Sequence, residues 1–225
     1  MKKGLTKIVF VVDRSGSMQS VASDMIGGFN KFIKTQKENK VGECTVTFNQ
    51  FDDIFENVYK NVLVENVKDL DDKTYVPRNM TALYDAVGRT IDEVGAELAA
   101  LPEDERPEKV LVVILTDGLE NASNTFNRKS IQEKIKLQTE TYKWEFIYIG
   151  ANQDSWAVGE GLGIQGTNTI SYVSKGKNTK SSNEALWDTL GAKAVTFRAC
   201  SSAKMSFTEE EREVQDNLIK DNENP

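Results

Sequence analysis

Five oxygen-bearing side chains stand out by type and spacing: Asp13, Ser15 and Ser17, then Thr81, then Asp117. The first three fall in Asp13-Arg14-Ser15-Gly16-Ser17, directly after an apolar run at residues 8–12 and before a helical pattern. This puts one carboxylate and two hydroxyls on a tight turn at the end of a buried strand. Alternate residues around Gly16 converge, and glycine allows the curvature without a side-chain clash. Asp117, within Thr116-Asp117-Gly118, follows a longer apolar run at residues 110–115, and Thr81 sits in the loop before another helical pattern. Such a set suits a hard divalent cation. Magnesium takes six oxygens at about 2.1 Å and keeps part of its water. Three hydroxyls and two carboxylates balance its charge and leave a position for an outside oxygen. Manganese suits the set as well, and calcium would need further carboxylates. Asp13 and Ser17 alone also read as helix-capping residues; Thr81 and Asp117 in their contexts turn the balance toward a metal site.

The residues around this set admit more than one role. Arg14, inside the turn, either attracts an acidic partner side chain or pairs with a local carboxylate. Glu120 and Asn121 either hold a metal-bound water, shape a partner surface or are exposed loop polarity. Histidine is absent from the chain, which excludes a histidine general base, a Ser-His-Asp triad and histidine-ligated zinc. Cys44 and Cys200 are too few for a disulfide framework and, without histidine, support no zinc site. A metal-dependent phosphatase of the haloacid dehalogenase type needs a second aspartate two residues after the first, where Ser15 stands. A glycine-rich phosphate loop ending in lysine and serine or threonine is also missing. A magnesium-dependent phosphatase-type hydrolase and a structural module with a loop-stiffening metal remain as alternatives to a non-catalytic binding role.

The elements that must position these residues follow from length and periodicity. The 225 residues, 39% of them hydrophobic, are enough for one large α/β domain and short for two. The net charge of -7 is spread along the chain without a basic cluster, so neither nucleic acid nor a membrane is an expected partner. The N-terminal apolar run is too short for a signal peptide and no segment reaches membrane-span length, so the expected location is the cytoplasm. Strand-like and helix-like segments alternate. The expected fold is therefore α/β: a doubly wound, Rossmann-like, mostly parallel six-stranded sheet with one antiparallel edge strand and helices on both faces.

Strands are expected at 8–12, 44–51, 54–59, 110–115, 144–149 and 169–173. The third follows the second through the turn Asp52-Asp53 and must be antiparallel, hence at an edge. The run at 110–115 is apolar on both faces and belongs at the centre. Helices are expected at 18–37 on Val21, Met25, Phe29 and Phe32, at 82–100, around Ile131 and Ile135, and at 153–160. Another carries Leu186, Leu190, Ala194 and Phe197. Residues 174–183 read as a loop in which Ser181 and Glu184 form a capping box, and Thr208 with Glu211 forms a second, opening a very acidic helix. The apolar residues of that helix are Val214, Leu218 and Ile219. Trp156 and Trp187 are expected to pack helices on the sheet. Ligands of doubly wound sheets bind at the carboxyl ends of strands where the strand order reverses, so Asp13 and Asp117 converge if their strands are neighbours.

On these residues the chain resembles the von Willebrand factor type A domain family, with its metal-ion-dependent adhesion site. The family pattern is an Asp-x-Ser-x-Ser turn, a later threonine, and a later aspartate followed by glycine. Asp13, Ser15 and Ser17, then Thr81, then Asp117 with Gly118 match it in order. The resemblance covers residues 7–200 and implies a domain over 1–205, with an acidic C-terminal helix and tail over 206–225 outside it. It implies that Ser15, Ser17 and Thr81 ligate the ion through their hydroxyls and that Asp13 and Asp117 act directly or through water. It further implies that a partner protein's carboxylate takes the open position and that the domain is no enzyme. Intracellular relatives work beside chaperone-like ATPases or in stress-response systems. One departure is Asn79, where relatives commonly carry glycine two residues before the threonine.

Overall fold

The structure, a computed structural model, describes residues 1–151, 155–173 and 179–223. Six strands form one sheet: β1 (Lys2–Asp13), β2 (Glu43–Phe51), β3 (Phe55–Leu63), β4 (Pro107–Thr116), β5 (Glu145–Ala151) and β6 (Thr169–Tyr172), in the order β3-β2-β1-β4-β5-β6. All neighbouring pairs are parallel except β2 and β3, which are antiparallel at one edge. Among the described residues the α-helices are α1 (Ala22–Glu38), α2 (Leu83–Ala100), α3 (Arg128–Tyr142), α4 (Ser155–Gly161), α5 (Thr179–Ala199) and α6 (Glu209–Glu223). This is the doubly wound α/β architecture expected from the alternation of patterns.

Alternation along β1 explains the two-layer cover. Ile8, Phe10 and Val12 face a core shared with α1 and α5, where Phe10 meets Phe29 and Phe32 edge-on with ring centroids 5.2 Å apart. Val9 and Val11 face the opposite core, built with Leu83, Val87 and Ile91 of α2 and Ile131 and Ile135 of α3. Both faces of β1 and β4 are therefore covered, which is why their central residues read as unbroken apolar runs. Helices α1 and α5 touch closely at Gly28, where a Cβ would lie 2.0 Å from the Trp187 ring. Trp187 is buried there, as its helical position suggests. Trp156 instead stays half exposed, with the Arg212 guanidinium 5.6 Å from its ring centre.

Several boundaries differ from the sequence expectation, each for a local reason. The helix expected from residue 18 begins at Ala22, because residues 16–21 form a 3-10 segment, Gly16–Val21, started by the Met18 amide donating to the Ser15 carbonyl at 3.0 Å. Strand β3 runs on to Leu63, past Asn61 in a left-handed conformation at φ 52° and the register shifts against β2. Helix α5 begins at Thr179, and the side chain of Ser181, on which the Ser181–Glu184 capping pair depends, lies outside what the structure describes. Asn183, buried within that helix, binds both the amide (3.2 Å) and the carbonyl (3.0 Å) of Val173 and so ties the helix to the end of β6. Residues 174–178 of the expected loop, and 152–154 at the expected start of α4, lie outside the described residues.

The Thr208–Glu211 box does form: the Thr208 amide donates to Glu211 Oε2 at 2.7 Å and the Glu211 amide to Thr208 Oγ1 at 3.2 Å. Helix α6 docks through polar side chains, since Val214 is 53% exposed while buried Gln215 donates to Ser182 Oγ at 3.0 Å. Met205 and Phe207, on either side of residue 206, are both buried in the core under α1 and α5. Cys44 is buried and Cys200 exposed, both as free thiols. Among the described residues no helix is long and apolar enough to cross a membrane.

Candidate metal centre

The sheet order reverses between β1 and β4, which leave their shared connection point in opposite directions along the sheet. Val12 pairs with Leu115 in register, so Asp13 and Thr116 end their strands side by side. The Thr116 hydroxyl donates to Asp13 Oδ2 at 2.5 Å, and the Ser15 amide donates to Asp13 Oδ1 at 2.6 Å. The Tyr75 hydroxyl, fully buried, donates to the Asp13 main-chain carbonyl at 2.5 Å. Asp13 is thus fixed from three directions before any ligand is considered.

From this anchor the other oxygens gather. Ser15 Oγ and Ser17 Oγ lie 3.0 Å apart, and Ser17 Oγ donates to Asp117 Oδ1 at 2.6 Å. Thr81 reaches the same place over Gly118: a Cβ on Gly118 would stand 2.8 Å from Thr81 Oγ1 and 3.4 Å from Asp13 Oδ2. A side chain at 118 would press on the Thr81 hydroxyl, while its approach to Asp13 would be an ordinary contact, so the glycine after Asp117 leaves the Thr81 oxygen in place. The structure therefore brings Asp13, Ser15, Ser17, Thr81 and Asp117 to one face at the carboxyl ends of β1 and β4.

The loop carrying Thr81 owes its shape to Asn79, which is left-handed at φ 59°. Asparagine adopts this conformation more readily than other residues with a Cβ, so it supplies here the turn that a glycine would supply. The Asn79 carbonyl accepts the Gly16 amide at 3.1 Å, joining the two hydroxyl-bearing loops directly.

Arg14, Glu120 and Asn121 are all occupied within the fold. Arg14 is 3% exposed and turns inward, its Nη1 2.5 Å from Glu56 Oε2 and its Nε 3.4 Å from Asp52 Oδ2. Of its two sequence roles, pairing with local carboxylates is the one the geometry provides. Glu120 accepts the amides of Tyr84 (2.9 Å), Ala122 (2.9 Å) and Ser123 (2.7 Å), organising the loop after β4 against the start of α2. Asn121 accepts the Thr81 amide on its Oδ1 at 2.9 Å, while its own amide donates to the Thr81 carbonyl at 3.0 Å. It therefore positions Thr81. Sequence reasoning did not find Thr116, Tyr75 or Asp85; the last accepts the amides of Asn124, Thr125 and Phe126 and holds the same loop. Thr116 was legible in principle as the hydroxyl neighbour of Asp117 at the strand end.

The electrostatics fit a cation. Burial pushes the Asp13 carboxyl up to about 6, and the Asp117 charge adds to the rise, while the Thr116 hydroxyl and Ser15 contacts pull the other way. Two carboxylates close together in a desolvated place repel, and a divalent ion removes that repulsion. Among the described residues no three Asp, Glu, Cys or His side chains gather into a metal cluster, so an ion here depends on hydroxyl oxygens. That donor chemistry belongs to hard cations that retain water.

No family model matches the chain, and no curated protein does. Solved structures do. The proximal thread matrix protein 1 of the mussel byssus, in a form whose MIDAS motif is occupied by zinc, is similar over 86% of this chain and 46% of its own, at 14% identity and a TM-score of 0.57. A von Willebrand factor type A protein from Catenulispora acidiphila is similar over 86% of this chain and 43% of its own, at 13% identity and a TM-score of 0.56. The vWF domain of the type V pili tip protein Mfa5 from Porphyromonas gingivalis matches over 85% of this chain and 97% of its own, at 8% identity and a TM-score of 0.53. The chain spans about half the length of the mussel and Catenulispora proteins. At these identities the likeness is one of architecture: this chain has the von Willebrand factor type A fold.

Proposed function

We propose that this chain is a metal-dependent protein-binding module. The observation that carries the reading is the linked set Ser15–Ser17–Asp117, at 3.0 and 2.6 Å, beside Asp13 and Thr81 at the carboxyl ends of adjacent strands. Asp13, Ser15, Ser17, Thr81 and Asp117 would hold magnesium, with manganese or calcium as substitutes. The ion supplies a strong local positive charge on an otherwise acidic protein. A carboxylate on a partner protein would complete the coordination, and the loops around Leu119, 78% exposed beside the site, would add selectivity. The role is non-catalytic and the setting cytoplasmic, with a stress-response or chaperone-like ATPase partner as the working candidate. The zinc-occupied motif of the mussel protein supports a divalent ion on this fold.

Calorimetric titration with magnesium tests the site. The wild-type chain is expected to bind and Asp13→Ala to lose binding while keeping its circular-dichroism spectrum. Unchanged affinity in the variant would remove the assignment. Partner capture from the native host with and without chelator tests the role, since an identical set of retained proteins would leave the ion no part in contact.

A further inference from the structure

The Arg14 ion pairs belong to a larger charge cluster centred on Asp52. Asp52, at the turn between β2 and β3, has 0% exposure. Its Oδ2 is 2.6 Å from Arg78 Nε and 3.4 Å from Arg14 Nε. Its Oδ1 accepts the Ile54 amide at 2.6 Å, and its main-chain carbonyl accepts the Ala82 amide at 2.9 Å. Arg14 belongs to the turn bearing Ser15 and Ser17, and Arg78 and Ala82 flank the loop bearing Thr81. Main-chain bonds run along the same seam: the Arg14 amide donates to the Phe51 carbonyl and the Arg78 amide to the Arg14 carbonyl, both at 2.7 Å. One buried carboxylate thus faces both loops that carry the hydroxyl ligands.

From this geometry we infer that Asp52 is a positioning residue of the metal centre, clamping the 13–17 turn to the Thr81 loop through Arg14 and Arg78. The inference rests on the metal-binding reading above. The clamp works through charge more than through saturated hydrogen bonding, because Arg14 Nε and Nη2 are buried without a hydrogen-bond partner. Among the described residues Arg14 pairs only with Asp52 and Glu56, and the Glu56 side chain is 52% exposed. Neutralising Asp52 leaves the inner end of Arg14 unopposed and frees Arg78, so the two loops lose their common reference. Partners that orient metal ligands typically change affinity by about 10–100-fold when removed.

The test is magnesium calorimetry on the wild type, Asp13→Ala, Asp52→Asn, Arg78→Gln and Arg78→Lys, with hydrogen exchange of the metal-free proteins. Asp52→Asn and Arg78→Gln are expected to weaken magnesium binding by about tenfold or more, and Arg78→Lys, which keeps the charge, to recover most of the loss. Exchange is expected to rise at the Gly16 and Ala82 amides and not in the β1 and β4 interior, which a general loss of stability would not produce. If the wild type binds magnesium, Asp13→Ala does not, and both clamp variants bind as the wild type does, the clamp is overturned and the metal site stands. If the wild type itself does not bind, the metal reading falls and the clamp with it. Should Asp52→Asn fail to fold, Arg78→Gln decides, because the Arg78 side chain is 45% exposed and tolerates replacement.

Discussion

Asp13 does two opposed things at once. It ends a strand that is buried from Leu5 onward, and it carries the carboxylate around which the site gathers. In the metal-free protein that burial raises its pKa from 3.8 to about 6. A raised carboxyl binds its proton more tightly when folded, so its contribution to stability is complete below pH 3.8 and is lost as pH rises through 6. Neutral pH therefore places a strained anion in the site, at a cost of about 3 kcal/mol for a shift of this size. Without magnesium, Asp13→Asn is expected to be more stable than the wild type at pH 7, with the gap closing by pH 4. Chelator-treated thermal melts across that range check it, and a gap that widens toward acid would contradict it. With magnesium the order should reverse, because only the anion attracts the ion.

At the scale of elements, the Thr81 loop is a small device whose parts are legible to different degrees. Asn79 stands where a glycine was expected, and its φ of 59° shows why asparagine serves. Asn79→Gly is expected to stay within about 0.5 kcal/mol of the wild type, whereas Asn79→Val should cost about 1–2 kcal/mol in stability for a β-branched residue held left-handed. Urea melts of the two variants distinguish these outcomes. The strands were readable because β1 and β4 are covered on both faces and show it as apolar runs, and the Thr208–Glu211 box because capping is a local interaction. The role of Asp52 was not readable: in sequence it is one half of an Asp-Asp turn, and its partners are 38 residues upstream and 26 downstream. The start of α5 was not readable because residues 179–183 are polar and show no apolar helical spacing; Asn183 among them binds the main chain of Val173 instead. That the acidic helix docks on the body was readable, but not how: Val214 is exposed, while Gln215 and Arg212 donate hydrogen bonds to Ser182 and Gly166.

Across the whole molecule the metal face and α6 are separate. The helix meets α4 and α5 through Gln215, Arg212 and the Lys193–Glu211 ion pair, whereas the site sits over β1 and β4. Ending the chain after Phe207 is expected to cost about 2 kcal/mol from the lost hydrogen bonds and cation–π contact, or about 4–8 °C in melting temperature, with magnesium affinity within about twofold of the full chain. Calorimetry on the shortened protein would refute this if binding disappeared. The placement of Asp13 and Asp117 on neighbouring strands has a consequence for how the protein is made. The two carboxylates are 104 residues apart in the chain (117 − 13) but meet only once β4 has slotted in beside β1. On the proposed metal reading, a growing chain still missing its fourth strand holds half of the ligand set and would not capture the ion. Saturating magnesium, worth about 2.7 kcal/mol at a hundredfold excess over its dissociation constant, would therefore reward only chains that have completed the long crossover and would ignore those that have not.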